Sequence, residues 1–267
     1  MSERDNVLEA IAETRVLEGF RWAFDSAASR AREDYSEGAG YDVGWFGYTR
    51  FTLLRDRLDR VFSCEHYAVP DGADGRASLD VVRTELSQHD IDTMPPINPG
   101  AVVRSNLNKS PGWAAGDYRL LLHSIPPGKD VNDIRWPITR PTKRRVAQQP
   151  AVDGDEPTLF DGLGPEFQVD IAAILAETAP LDRRTLVVAH ALNPLTDKRE
   201  LVLGQPRLND GGGRPWHWTH DLLQAPPTDS GLLRPASPAP SQPDSVPDAP
   251  VKLRRRAREA GTAEAMQ

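Results

Sequence analysis

The chain has 267 residues, 39% of them hydrophobic, with 24 prolines, one cysteine and a formal net charge of −7 at pH 7. That length admits one large domain or two small ones with a real core, while the single cysteine, Cys64, excludes an intrachain disulfide and any cysteine cluster for zinc, as expected in a reducing compartment. The first residues carry Glu3, Asp5, Glu9, Glu13 and Glu18, and no apolar run approaches the roughly 18 residues of a membrane span, so the expectation is a soluble, cytoplasmic protein with no membrane partner.

From Ser2 to about Ala31, Leu8, Ile11, Ala12, Val16, Phe20, Ala23, Phe24 and Ala27 recur at spacings of three and four, which predicts one long amphipathic helix capped by Ser2. A second helix is expected from about Val43 to Phe62. Its apolar stripe is Phe51, Leu54, Leu58, Val61 and Phe62, and its mixed-sign Arg50, Asp56, Arg57, Asp59 and Arg60 read as a solvated face. A third, shorter helix is expected at Ser78–His89. The stretch from Met94 to Gly116 reads as loop, broken by Pro99, Gly100, Pro111 and Gly112. Strands follow at Tyr118–Ile125, Thr185–Leu192, Glu200–Gln205 and Arg214–Thr219, with a helix at Pro165–Thr178 and an exposed loop at residues 146–158 between them. From Ala225 to Pro250, 8 of 26 residues are proline and none is aromatic, a composition that cannot bury enough apolar surface to offset its ordering entropy.

The fold class is therefore α+β: an N-terminal helical hairpin plus short helix over residues 1–93, and an antiparallel sheet with one packed helix over residues 94–224, the two packed as one unit. A disordered Pro-rich linker over 225–250 and a basic peptide over 251–267 complete the chain.

Positive charge is concentrated. Ten of the 32 basic residues lie in two acid-free islands, Arg135–Arg145 and Lys252–Arg258, leaving 22 Lys+Arg against 39 Asp+Glu elsewhere. In the first, Trp136 is interleaved with Arg135, Arg140, Lys143, Arg144 and Arg145 beside prolines that hold the backbone extended. Guanidinium forks suit phosphates and an indole suits a base, so this composition points to single-stranded or flexible nucleic acid. In the second, Lys252, Arg254, Arg255 and Arg256 add reach rather than specificity.

Other motifs offer narrower chemistry. Glu156-Pro157-Thr158-Leu159-Phe160 resembles the clamp-binding peptide of bacterial replication and repair proteins, with Glu156 where that pattern has glutamine. The resemblance implies that Leu159 and Phe160 enter a partner's pocket. Arg60 to His66 and Arg83 to His89 each resemble the arginine, five residues, histidine motif of helical RNases of the HEPN class, which implies metal-independent cleavage through the RNA 2′-hydroxyl. His217 and His220 are candidate metal ligands that need a further ligand such as His190 or His123. Cys64 and His66 form only a superficial nucleophile and base pair. No Walker A sequence, dinucleotide fingerprint or Gly-x-Ser-x-Gly elbow is present, and no cofactor is expected.

The expected function is that of a nonenzymatic or accessory protein associating with nucleic acid, or with a protein complex that processes it, through the basic segments. The alternatives are a HEPN-like RNase and a protein–protein module with a basic tail.

Overall fold

The computed structural model describes residues 2–68, 80–126, 129–136, 141–150 and 181–224, all within a compact unit spanning Met1–Pro226. The expected helix at Pro165–Thr178, most of the 146–158 loop and the Pro-rich and basic tail lie outside the described residues.

The first helical stretch is two helices, α1 (Glu3–Ala12) and α2 (Val16–Asp34). Ser2 caps α1 as expected, its Oγ accepting from Asp5 N at 3.3 Å. The apolar periodicity runs unbroken through the joint, but Arg15 adopts a left-handed conformation at φ 54°. Thr14 Oγ1 takes over the terminal carbonyl of Ile11 at 2.6 Å, and Arg15 donates to Pro96 O at 3.0 Å. Side-chain hydrogen bonds thus replace the helical ones that the break removes.

Helix α3 (Val43–Val61) begins where expected, with Asp42 Oδ1 accepting from Trp45 N at 2.7 Å. The charged face read as solvated is a correction: Arg50, Arg57, Asp59 and Arg60 are all buried. Arg57, Asp59 and Arg60 are buried among partners. Arg57 donates to Ser26 Oγ of α2, Asp56 joins Arg57, Arg60 and Tyr67, and Asp59 accepts from Arg104 and from Trp113 Nε1. The expected helix at Ser78–His89 is also revised. Helical residues 80–83 end before Glu85, which has φ 60°, and α4 (Gln88–Thr93) starts afresh from a Ser87–Asp90 capping box.

Among the described residues, six strands form one sheet in the order β1 (Val103–Arg104), β2 (Gly112–Ala115), β3 (Tyr118–Ser124), β4 (Arg184–Leu192), β5 (Arg199–Pro206) and β6 (Trp216–Asp221). The last four match the predicted strands. β1 and β2 fall in the stretch read as loop, because Gly112 is a strand residue here: a Cβ on it would lie 2.5 Å from Leu121 Cδ2 and 2.7 Å from Ser105 O. Close backbone approach, not a turn, requires this glycine. The sheet is mostly antiparallel, with one parallel pair at its centre, β3 with β4, in the register Leu122↔Val188 and Ser124↔His190. Parallel neighbours need a long crossover connection, and residues 125–183 supply it.

The sheet is covered on both faces. Leu120, Leu122, Leu186, Val188, Leu201 and Leu203 pack against α1, α2 and α3 through Ile11, Phe20, Phe24, Leu54 and Leu58. Leu121, Val187 and Ala189 face a second, smaller layer built from Ile134, Trp136, Trp216 and α5 (Pro141–Ala147). Proline in the first turn of α5 presets the helical φ, so the second half of the first basic island is a helix rather than an extended loop. Val146, read as part of an exposed loop, is in that core.

A candidate anion-binding site at the open end of strand β3

Strand β2 is four residues long and pairs only as far as Leu121 of β3. Beyond it, no strand among the described residues pairs with Leu122–Ser124 on that side, and a cavity of about 710 Å³ opens there. Its walls are Gly47, Tyr48 and Phe51 of α3, the turn Asn108–Pro111, Leu122–Ser124 of β3, and Pro141–Lys143 of α5. Asn108 Nδ2 donates to Thr142 Oγ1 at 2.9 Å and joins the turn to α5. This volume lies within the range of small-ligand pockets. Among the described residues, no Asp or Glu lines it.

The cations around the cavity are the unusual feature. Along α3, Phe46, Arg50, Leu54 and Leu58 follow one another at spacings of four and all face the interior, which places Arg50 under the cavity at 3% exposure. Its Nη2 donates to Ser124 Oγ at 3.3 Å, and Ser124 lines the cavity. Nε and Nη1 of Arg50 are buried and meet no hydrogen-bond partner. Burial pushes this guanidinium down to about 10. An uncompensated buried charge of this kind costs several kcal/mol, roughly.

His190 is the register partner of Ser124 and is fully buried. Its ring stacks on Phe51 with centroids 6.1 Å apart and meets the Phe24 ring edge-on at 6.5 Å. Neither ring nitrogen has a hydrogen-bond partner. Burial first, then the positive charges of Arg50, His123 and Lys143, hold His190 well below the usual histidine range, so it is neutral at neutral pH. His123 and Lys143 line the cavity while being themselves largely buried, and Lys143 Nζ donates to Leu122 O.

Of the described basic residues in the first island, only Lys143 lines the cavity. Trp136, expected to stack on a base, is 1% exposed: its Nε1 donates to Pro215 O at 2.9 Å and its ring meets Trp216 edge-on at 5.3 Å. That indole is part of the core, which corrects the expected role. Arg135 is exposed, Arg144 pairs with Asp210, and Arg145 is half-buried. Arg140, Leu159, Phe160 and the tail residues Lys252, Arg254, Arg255 and Arg256 lie outside the described residues.

Neither HEPN-like pair is joined by a hydrogen bond between its arginine and its histidine. Arg60 donates to Asp56 Oδ2 at 2.7 Å and to the carbonyls of Val82 and Thr84 at 2.8 and 2.9 Å, which tie residues 80–84 to α3. Arg60 and the exposed His66 each contact the Tyr67 ring. Arg83 and His89 are both exposed, with the Glu85 reversal and a new helix start between them. Cys64 is buried and its thiol is pushed up to about 11, chiefly by desolvation. His217 is exposed and His220 half-buried on β6, and among the described residues no three His, Cys, Asp or Glu side chains converge as a metal site. Among the same residues no helix is long and apolar enough to cross a membrane.

The sequence reading missed Arg50, Ser124 and the aromatic wall. The available signal was position: Arg50 stands four residues before Leu54 and eight before Leu58, on the apolar stripe itself. No protein-family model matches the chain, and no curated protein or solved structure matches it.

Proposed function

We propose that the protein is a nonenzymatic accessory protein that binds nucleic acid, with a phosphate group held in the cavity at the end of β3. One observation carries this reading. Arg50 is buried with two guanidinium donors unpartnered, and it reaches through Ser124 toward a cavity with no acid among its described lining residues. An anion from outside supplies what the fold leaves out. Tyr48, 74% exposed at the mouth, and Phe51 offer faces on which a base can stack. The island Lys252–Arg258 adds charge that strengthens any such association at low salt. Binding is favoured over cleavage because Arg60, the buried member of one HEPN-like pair, is engaged with Asp56 and two carbonyls.

The test is anisotropy of a labelled single-stranded oligonucleotide titrated with the protein across a series of salt concentrations. Affinity falls steeply with salt, and Lys109→Glu at the cavity mouth weakens it. Absence of binding even at low salt overturns the proposal.

A further inference from the structure

Resting on the nucleic-acid reading, we infer that the base next to the bound phosphate lies flat on the bare backbone of α3 at Gly47, beside Tyr48 and Phe51. A glycine inside a helix calls for a reason, since every residue except proline is more favourable there. Three glycines stand in α2 and α3, and they differ in what surrounds them. A Cβ on Gly19 of α2 would lie 2.5 Å from Phe62 Cε1 and 3.1 Å from Ile97 Cδ1, so packing within the fold requires that glycine. Gly44 is the second residue of α3, and its Cβ would lie 3.2 Å from Oδ1 of the capping Asp42. Among the described residues, a Cβ on Gly47 would meet nothing within 4 Å. Gly47 lines the cavity, so the room left by its missing side chain belongs to the cavity and not to the core.

The neighbours of that bare turn are aromatic. Tyr48 follows it in sequence and is 74% exposed, and Phe51 stands four residues on, where helical positions share a face. Both line the cavity, and Phe51 is backed by the stacked ring of His190. A purine or pyrimidine is thin enough to lie on exposed backbone, and close approach of backbone to a ligand is what a residue without a Cβ permits. Any larger residue at position 47 would extend its side chain into the cavity next to these rings. An independent observation marks the same cavity for an anionic ligand. Arg50, three residues after Gly47, is 3% exposed, has Nε and Nη1 without a hydrogen-bond partner among the described residues, and donates through Nη2 to Ser124 Oγ on the cavity wall. One stretch of α3 thus offers bare backbone and aromatic faces to a base, and a buried cation to the phosphate beside it. Stacking of this kind is tolerant of base identity, so the contact is with a base and not with a sequence.

The probes are two labelled single strands of about ten nucleotides, one carrying thymine throughout and one with abasic sugars on the same phosphate backbone. The full chain is expected to bind the thymine strand about tenfold or more tightly than the abasic one, the worth of stacking a base or two. Gly47→Ala puts a better helix former into open space, so it is expected to raise the thermal midpoint while narrowing the difference between the strands. Gly47→Leu is expected to abolish that difference and leave affinity for the abasic strand unchanged. Equal binding of the two strands by the parent protein overturns the inference and leaves the nucleic-acid reading standing. Three other results do the same: a thymine preference undiminished in both variants, a loss shared equally by both strands, or a lowered midpoint in Gly47→Ala, which would make the glycine a requirement of the fold. Binding of neither strand at low salt overturns both readings.

Discussion

Replacing Arg50 by methionine should make the protein more stable, although it removes a side chain from the interior. The folded-state value of this guanidinium is pushed down to about 10 from 12.5. Because the folded value is the lower one, the unfolded chain holds the proton more tightly, and below about pH 10 the charge favours unfolding. At about 1.4 kcal/mol per pKa unit, the charge costs the fold about 3 kcal/mol at neutral pH. Methionine fills most of the same volume without charge and gives up one hydrogen bond, to Ser124 Oγ at 3.3 Å, worth about 1 kcal/mol. The net gain is about 2 kcal/mol, or a rise of about 4–8 °C in Tm for a unit of this size. Urea unfolding followed by tryptophan fluorescence reads it directly, since Trp113, Trp136 and Trp216 are buried. A loss of more than about 1 kcal/mol would refute the reasoning, because it would mean that Arg50 is a satisfied structural group. The same variant should bind oligonucleotides more weakly, the pattern of a residue kept for ligand at the expense of stability.

Three further outcomes follow from particular contacts. His190, neutral in the fold, leaves the unfolded chain holding an extra proton below about pH 6.5, so stability should fall with acidity by up to about 1.4 kcal/mol per pH unit from this group. His190→Leu should remove that share of the slope between about pH 7 and pH 5, and an unchanged slope would show that the imidazole charges inside the fold. Arg60→Ala should destabilise by about 3 kcal/mol by stranding Asp56 and freeing the carbonyls of Val82 and Thr84, whereas exposed Arg83→Ala should stay within about 0.5 kcal/mol. Equal effects of the two would refute the structural role given to Arg60. Gly112→Ala should cost about 2 kcal/mol or more, since its methyl would press on Leu121 and on the carbonyls of Ser105 and Leu120; a thermal midpoint like that of the parent would contradict the β2–β3 packing.

The strongly periodic parts of the fold were legible from the sequence. α3 and β3 to β6 announce themselves through apolar spacing, and the α+β class follows from their order. What escaped has physical causes. The joint at Arg15 leaves the apolar rhythm intact and is fixed by a hydroxyl and a distant carbonyl. β2 carries glycine for packing, which composition reads as a break. The β3–β4 pairing is parallel because of a connection whose path no local pattern encodes. The buried charges of α3 were hidden by a rule that usually holds: arginine, aspartate and arginine on one helix suggest a wetted face, yet Arg57, Asp59 and Arg60 have partners from elsewhere in the chain. Conversely, the most conspicuous motif, the Trp136 island, lost its indole to the core because an indole also packs well against another tryptophan.

The parallel pairing of β3 with β4 also sets when the cavity comes into being. Ser124 and His190 become neighbours only after residues 125–183 have been looped out, the kind of non-local closure that slows folding most. The helices can form and pair early, through the many local contacts between α2 and α3, without creating any binding capacity. On the proposed reading, competence to bind then appears only once that pairing closes. A substitution that merely delays that strand pairing would therefore lengthen the time before a new chain forms the cavity, even if the finished fold were equally stable.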